Sequence, residues 1–327
     1  MPDPRLPPAA DNLLVIKVRG LGDTLLATPA LRALRQAYPR AGLSVLVSAA
    51  GREVLSANPY VDRVMVMADK GWPAALRLMA ELRSFHYDGV MALHASLRTA
   101  LLGLATGAGW RVVHNHSGRN FFATIPIAAP KVSKSAIERD LDAVRALGVP
   151  DDGADLDFPL STEDLRTAKE YLEDHGVAPH QPFWVLAPGA GKAHKACPLD
   201  LAVKFLRLAR QRFPGPWVLL AGQAEEETAR LIQRELDDEP VIFNQSLRQA
   251  GALFRLSAGV VTADSGPKHV AVAVGAKTLT LWTDEPLAEW HPYAQDQHAV
   301  VRSQSGRVAD IGSEDLFQAA VHHFLKG

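Results

Sequence analysis

Cysteine is nearly absent from this chain. Cys197 is the only one in 327 residues, which excludes an internal disulfide and a cysteine-built zinc site and fits a reducing compartment. Long apolar runs are missing too. A membrane-spanning helix needs about 20 consecutive apolar residues, and the nearest approach, Ala100–Trp110, is short and broken by Gly103, Gly107 and Gly109. The start of the chain does not resemble a signal peptide: residues 1–12 carry Pro2, Pro4, Pro7 and Pro8, a single arginine and no apolar stretch. They read as a flexible leader. The predicted location is cytoplasmic, with peripheral membrane contact at most. Basic residues form no clustered runs and no nucleic-acid-binding motif is present, so DNA and RNA are not expected partners.

What is present is an ordinary globular balance, 47% hydrophobic and 22% charged residues, in a chain long enough for two cores. Short β-branched apolar runs alternate with segments of helical period, the pattern of parallel α/β units. Leu13–Val18, Leu43–Ser48 and Gly89–Leu93 read as strands in the first half. Between them, Pro29–Tyr38 reads as a helix with Thr28 as its N-cap. An acidic, proline-flanked break follows at Pro150–Pro159, and the alternation restarts after it. The predicted architecture is two Rossmann-like doubly wound domains facing a central cleft, with ligands at the carboxyl ends of the strands. The expected divisions are a leader (1–12), an N-terminal domain (13–160), a linker helix region (161–180), a C-terminal domain (181–312) and a closing helix (313–327) that packs back on the N-terminal domain. The net charge of −1 is unevenly spread, since residues 1–150 hold 18 Lys and Arg against 11 Asp and Glu. That asymmetry predicts either solvated helix faces or an anionic partner for the first half.

Four loops carry candidate chemistry. The first, Arg19-Gly20-Leu21-Gly22-Asp23-Thr24, follows a strand and opens a helix. Its glycines begin a dinucleotide fingerprint, but Leu25 stands where the third glycine belongs. The loop instead presents Asp23, either as an acceptor of a hydroxyl proton or as a helix cap. The second, Asp264-Ser265-Gly266-Pro267-Lys268-His269, again joins strand to helix and suits a diphosphate at the helix N-terminus. Asp264 and Ser265 are also candidate caps for that helix. The third, Pro188–Pro198, offers Gly189, Ala190, Lys192 and Lys195 as an anion cradle without the Walker pattern. The fourth, Gly222–Glu226, places Glu225 and Glu226 where a carboxylate can bond ribose hydroxyls. No metal or other cofactor is expected. Asp155-Leu156-Asp157 lies in the acidic break, and His322-His323 has no matching acids.

Taken in order, these segments resemble glycosyltransferase family 9, the ADP-heptose:lipopolysaccharide heptosyltransferases. The likeness runs from Leu13 to about Tyr293 and is carried by Gly22-Asp23 with Thr28-Pro29, Leu31 and Leu34. Asp264–His269, the Pro188-Gly189-Ala190 loop with Lys195 and Pro198, and Trp290-His291-Pro292 support it. The resemblance implies a GT-B fold and an inverting, metal-independent transfer of heptose from ADP-heptose to a lipopolysaccharide inner-core or other anionic glycolipid acceptor. Asp23 would then be the general base. Gly22, Gly189, Ala190, Lys195, Glu226, Asp264, Ser265, Gly266 and His269 would hold the donor, with Glu225, Lys192, Lys268 and Arg19 as further candidates. The chain departs from the family pattern at Lys268, Cys197 and Thr283-Asp284, all around the expected donor pocket. A different nucleotide-sugar donor or another cell-surface glycan acceptor is thus a second reading. A non-catalytic nucleotide-sugar-binding protein on the same fold is a third.

Overall fold

The computed structural model describes residues 9–67, 71–94, 96–114, 122–127, 132–237 and 240–325. Of the predicted leader, residues 1–8 lie outside them. Contacts divide the chain into two units, Met1–Phe158 with Ala288–Trp290, and Pro159–Leu287 with His291–Gly327.

Unit 1 runs β1 (Asn12–Lys17), α1 (Leu21–Leu26), α2 (Thr28–Ala37), β2 (Gly42–Val47), α3 (Ala49–Leu55), β3 (Arg63–Val66), α4 (Trp72–Ser84), β4 (Gly89–Ala92), α5 (Leu97–Ala105), β5 (Trp110–His114), β6 (Ile125–Ile127) and α6 (Ala136–Arg145). Its strands are parallel in the order β3-β2-β1-β4-β5-β6. Leu14, Ile16, Leu46 and Val90 face Leu78 and Leu82 of α4 and Leu102 of α5 in one buried cluster. Continuous apolar strands of this kind are what a sheet covered by helices requires.

Unit 2 repeats the plan with α7 (Thr162–Asp174), β7 (Trp184–Ala187), α8 (Leu199–Ala209), β8 (Trp217–Leu220), α9 (Glu226–Arg234), β9 (Val241–Phe243), α10 (Leu247–Leu256), β10 (Gly259–Ala263), α11 (Gly266–Ala273) and β11 (Thr278–Trp282). After α12 (Leu287–Trp290) come β12 (His298–Arg302) and α13 (Ser313–Leu325). The order is β12-β11-β10-β7-β8-β9, again parallel. Each sheet therefore reverses its winding once, beside β1 in unit 1 and beside β7 in unit 2. Such switch points leave a crevice at the strands' carboxyl ends.

One expectation needs correction. Thr28 is not an N-cap: α1 precedes it, and α2 begins at Thr28 itself. Its hydroxyl turns inward, donating to the Leu25 carbonyl (2.7 Å) and accepting from the Asp157 N–H (2.9 Å). The closing helix α13 packs within unit 2. It buries Leu316, Ala320 and Val321 in unit 2's own cluster with Phe205, Leu206 and Trp217. The acidic break lies in unit 1, where Asp152 and Asp157 pair with Arg32 and Asp151 with Arg145. With the four aspartates of the break (Asp155 among them) and Glu289 included, unit 1 holds 18 basic against 16 acidic residues. The charge asymmetry largely disappears, since arginines inside the unit already neutralise the break. The same pairing with Arg32 occupies Asp157 of the Asp155-Leu156-Asp157 triplet.

Candidate active site

In unit 1 the chemistry lies just past β1. Gly20 takes the N-cap position of α1 in an extended conformation, and its carbonyl accepts from the N–H (3.1 Å) and the hydroxyl (3.2 Å) of Thr24. Asp23 therefore stands inside the first turn with Gly22 beside it, and is not the cap. Its side chain is 27% exposed, with the Arg19 guanidinium 3.9 Å away. Behind this turn, Lys17 at the end of β1 bonds Asp140 of α6 at 2.5 Å, both side chains buried. Burial lifts the Asp140 carboxyl to about 6 against the pull of Lys17, and the charge of Asp23 adds to the rise. Helix α6 packs on α1, so the buried pair braces the turn that carries Asp23.

In unit 2, four adjacent strands deliver polar groups to one edge. The loop after β7 is closed by the Cys197 N–H on the Pro188 carbonyl (2.9 Å) and bends through a short 3-10 turn, Ala193–Lys195. The Lys195 ammonium bonds Asp264 at 2.7 Å and lies 3.1 Å from Glu285, which Lys192 also approaches at 3.4 Å. Asp264, at the end of β10, takes a second lysine on its other oxygen: Lys268 of α11, at 2.6 Å. Burial alone would raise Asp264, but Lys268 and Lys195 hold it below the usual carboxylate range. Lys268 is wholly buried, 4.5 Å from the centre of the Trp282 ring. Desolvation pushes it down to about 8 although Asp264 favours its charge. Lys268 is thus bound to Asp264 inside the protein.

Other candidates separate just as clearly. A Cβ on Gly189 would lie 2.7 Å from Glu225 Cγ, and one on Gly222 would lie 2.7 Å from a Glu225 carboxylate oxygen. The two glycines make room for the Glu225 side chain at the ends of β7 and β8, beside Ala190 in the same loop. Glu226, the preferred candidate in the sequence, instead accepts from Arg230 (2.6 Å) and Asn244 (3.2 Å). Ser265 is the N-cap of α11, yet neither it nor Asp264 makes a side-chain cap bond. The first-turn N–H groups, which no α-helix satisfies internally, open next to the Lys195–Asp264 pair. Buried His269 meets the Tyr293 hydroxyl at 2.5 Å through Nδ1. Burial keeps the imidazole neutral and the phenol protonated, and the tautomer of His269 sets which of the two donates.

Residues 75–320 match the sequence signature of glycosyltransferase family 9 (heptosyltransferase). The chain belongs to this glycosyltransferase family. It is therefore an enzyme, and the match takes in the whole Lys195–Asp264–Lys268 cluster while beginning after the Asp23 turn. The glycosyltransferase is 25% identical to lipopolysaccharide heptosyltransferase 3 of Escherichia coli over 289 residues, 84% of this chain and 83% of that protein. Its fold is that of the family 9 glycosyl transferase from Veillonella parvula, with a TM-score of 0.85, 22% identity and coverage of 97% and 98% of the two chains. E. coli heptosyltransferase WaaC, solved with ADP, superposes with a TM-score of 0.75 at 19% identity, covering 95% of this chain and 99% of that one. The two doubly wound units are accordingly those of a GT-B glycosyltransferase. Glu285 and the Lys17–Asp140 pair escaped the sequence reading of this enzyme. Asp140 had a usable signal, because Ser135 and the spacing Ile137, Leu141, Val144 mark α6. Glu285 had none, since its partners lie about ninety residues upstream.

Proposed function

We propose that this glycosyltransferase moves a heptose from ADP-heptose onto a lipopolysaccharide inner-core acceptor, with inversion and without a metal ion. Asp23 accepts the proton of the acceptor hydroxyl. The hydroxyl oxygen bonds the anomeric carbon as that carbon's bond to the diphosphate breaks, and ADP leaves. Lys195 and the α11 N-terminus, with the N–H groups of Ser265 and Gly266, take up the charge that develops on the leaving group, the contribution that usually dominates such catalysis. Glu225, rather than Glu226, binds the ribose, and His269 is a further contact to the donor. Arg19 and Lys192 are secondary contacts. The observation that carries this reading is the Lys195–Asp264–Lys268 cluster beside a helix N-terminus at the switch point of unit 2's sheet. The ADP held by WaaC supports the choice of nucleotide.

A glycolipid acceptor has its own support in unit 1. Trp72 and Leu76 of α4 are 76% and 60% exposed, and Leu97, Leu101 and Leu104 form a solvent-facing stripe on neighbouring α5. Among the described residues no helix is long and apolar enough to cross a membrane, so we assign this face to peripheral contact at the inner side of the cytoplasmic membrane. The deciding experiment is a donor panel of ADP-heptose, UDP-sugars and GDP-sugars on heptose-deficient lipopolysaccharide, read by product mass. A heptose mass increment from ADP-heptose alone is expected. Transfer from a UDP- or GDP-sugar instead would overturn the donor.

A further inference from the structure

Glu285 contributes a negative charge to a site that the proposed reaction fills with a diphosphate. Its backbone is held in place, because the Trp282 indole N–H donates to the Glu285 carbonyl at 3.0 Å. From that anchor its carboxylate reaches Lys195 (3.1 Å) and Lys192 (3.4 Å). The hydrogen bond from Lys195 is the main reason that the Glu285 carboxyl lies below its usual range, so the group is ionised at neutral pH. Asp264 differs in kind. It is held from both sides by Lys195 and Lys268, and its side chain is 7% exposed against 27% for Glu285. One carboxylate is built into the protein, and the other closes the cluster on its open side.

We propose that Glu285 is an internal stand-in for the donor diphosphate, occupying the Lys192 and Lys195 ammoniums when the site is empty and competing with the nucleoside diphosphate for them. The argument is one of charge. Lys192, Lys195 and Lys268 against Asp264 and Glu285 leave one positive charge in the cluster. With Glu285 displaced the excess is two, which matches the two ionised phosphates of a nucleotide sugar. After transfer, the returning carboxylate regains both lysines as the nucleoside diphosphate leaves. Glu285 thereby limits ground-state affinity and speeds product release, so binding is not wasted on the product.

This inference rests on the donor site proposed above, and the experiment separates the two. ADP is titrated calorimetrically into the intact protein and into three variants, Glu285→Gln, Asp284→Asn and Lys195→Ala. Asp284 is exposed and bonds neither lysine, so its variant removes the same charge one residue away. Glu285→Gln is expected to bind ADP roughly tenfold more tightly, the weight of one charge-assisted hydrogen bond, with Asp284→Asn within about twofold of the parent protein. Weakened binding by Lys195→Ala with no gain in Glu285→Gln overturns the stand-in and leaves the donor site intact. A gain in Asp284→Asn equal to that in Glu285→Gln also overturns it, since a general field would then suffice. Unchanged binding by Lys195→Ala removes the donor site and the stand-in together.

Discussion

The two units share a strand order but treat their ionisable groups in opposite ways. In unit 2 two carboxylates past the strand ends, Asp264 and Glu285, are each bound to two lysines. In unit 1 the exposed carboxylate, Asp23, has a guanidinium at 3.9 Å, beyond hydrogen-bond range, and the tight ion pair lies behind it in the core. The contrast fits the two halves of a displacement. A group that stabilises a leaving anion works best when fixed beforehand, whereas a base must keep a free lone pair for the incoming proton.

The sharpest way to break this comparison is to remove Asp23, the proposed base. Asp23→Asn should lower kcat by about 10³-fold while ADP affinity stays at the parent value; near-parental turnover would assign the base elsewhere. On the other side, Lys195→Ala should lower kcat by about 10²-fold and weaken ADP as well. Lys268→Met keeps the volume of the buried side chain but takes one of its two cations from buried Asp264, so stability should fall by about 3 kcal/mol. Its kcat loss should be under about tenfold, because Asp264 retains Lys195. A Lys268→Met loss as large as that of Lys195→Ala would make the buried lysine the principal cation.

Acid should separate the units next. Burial holds His269 well below its usual range, brings His291 and His298 to about 4 and lowers His323, all in unit 2. Such histidines bind protons in the unfolded chain before the folded one, so unit 2 loses stability as pH falls from about 6.5 towards 4. Asp140 in unit 1 acts the other way. Its folded carboxyl is raised to about 6, so this group favours the folded state more as pH falls through that value. Hydrogen exchange at pH 5 should therefore show unit 2 losing protection before unit 1, and the reverse order would contradict the burial of these histidines. The smallest effect concerns the apolar face of unit 1. Leu97→Ser with Leu101→Ser should weaken binding to anionic vesicles by about tenfold, from the apolar area removed, with ADP affinity unchanged.

Much of this was legible in the sequence because it is local. The runs read as strands at Leu13–Val18, Leu43–Ser48 and Gly89–Leu93 fall within one residue of β1, β2 and β4 at each end, and each candidate loop lies at a strand's carboxyl end. Errors arose where a residue had two local uses. Thr28 before Pro29 is a good N-cap in isolation, yet the short α1 ahead of it and the Asp157 N–H drew its hydroxyl elsewhere. Glu225 and Glu226 are indistinguishable neighbours until the space beside Gly189 and Gly222 selects one of them. The aspartates of the acidic break showed no partners in the sequence until folding brought Arg32 and Arg145 to them.

The Gly20–Thr24 turn, the Asp264–His269 turn and the alternating α/β plan followed from sequence alone, because backbone sterics, capping and burial period act over a few residues. The ion pairs were decided only by the tertiary structure. Lys17 meets Asp140 across 123 positions and Lys195 meets Asp264 across 69. Whether a charge is paired, buried or left open depends on what folding brings within a few ångströms of it, and no local pattern records that.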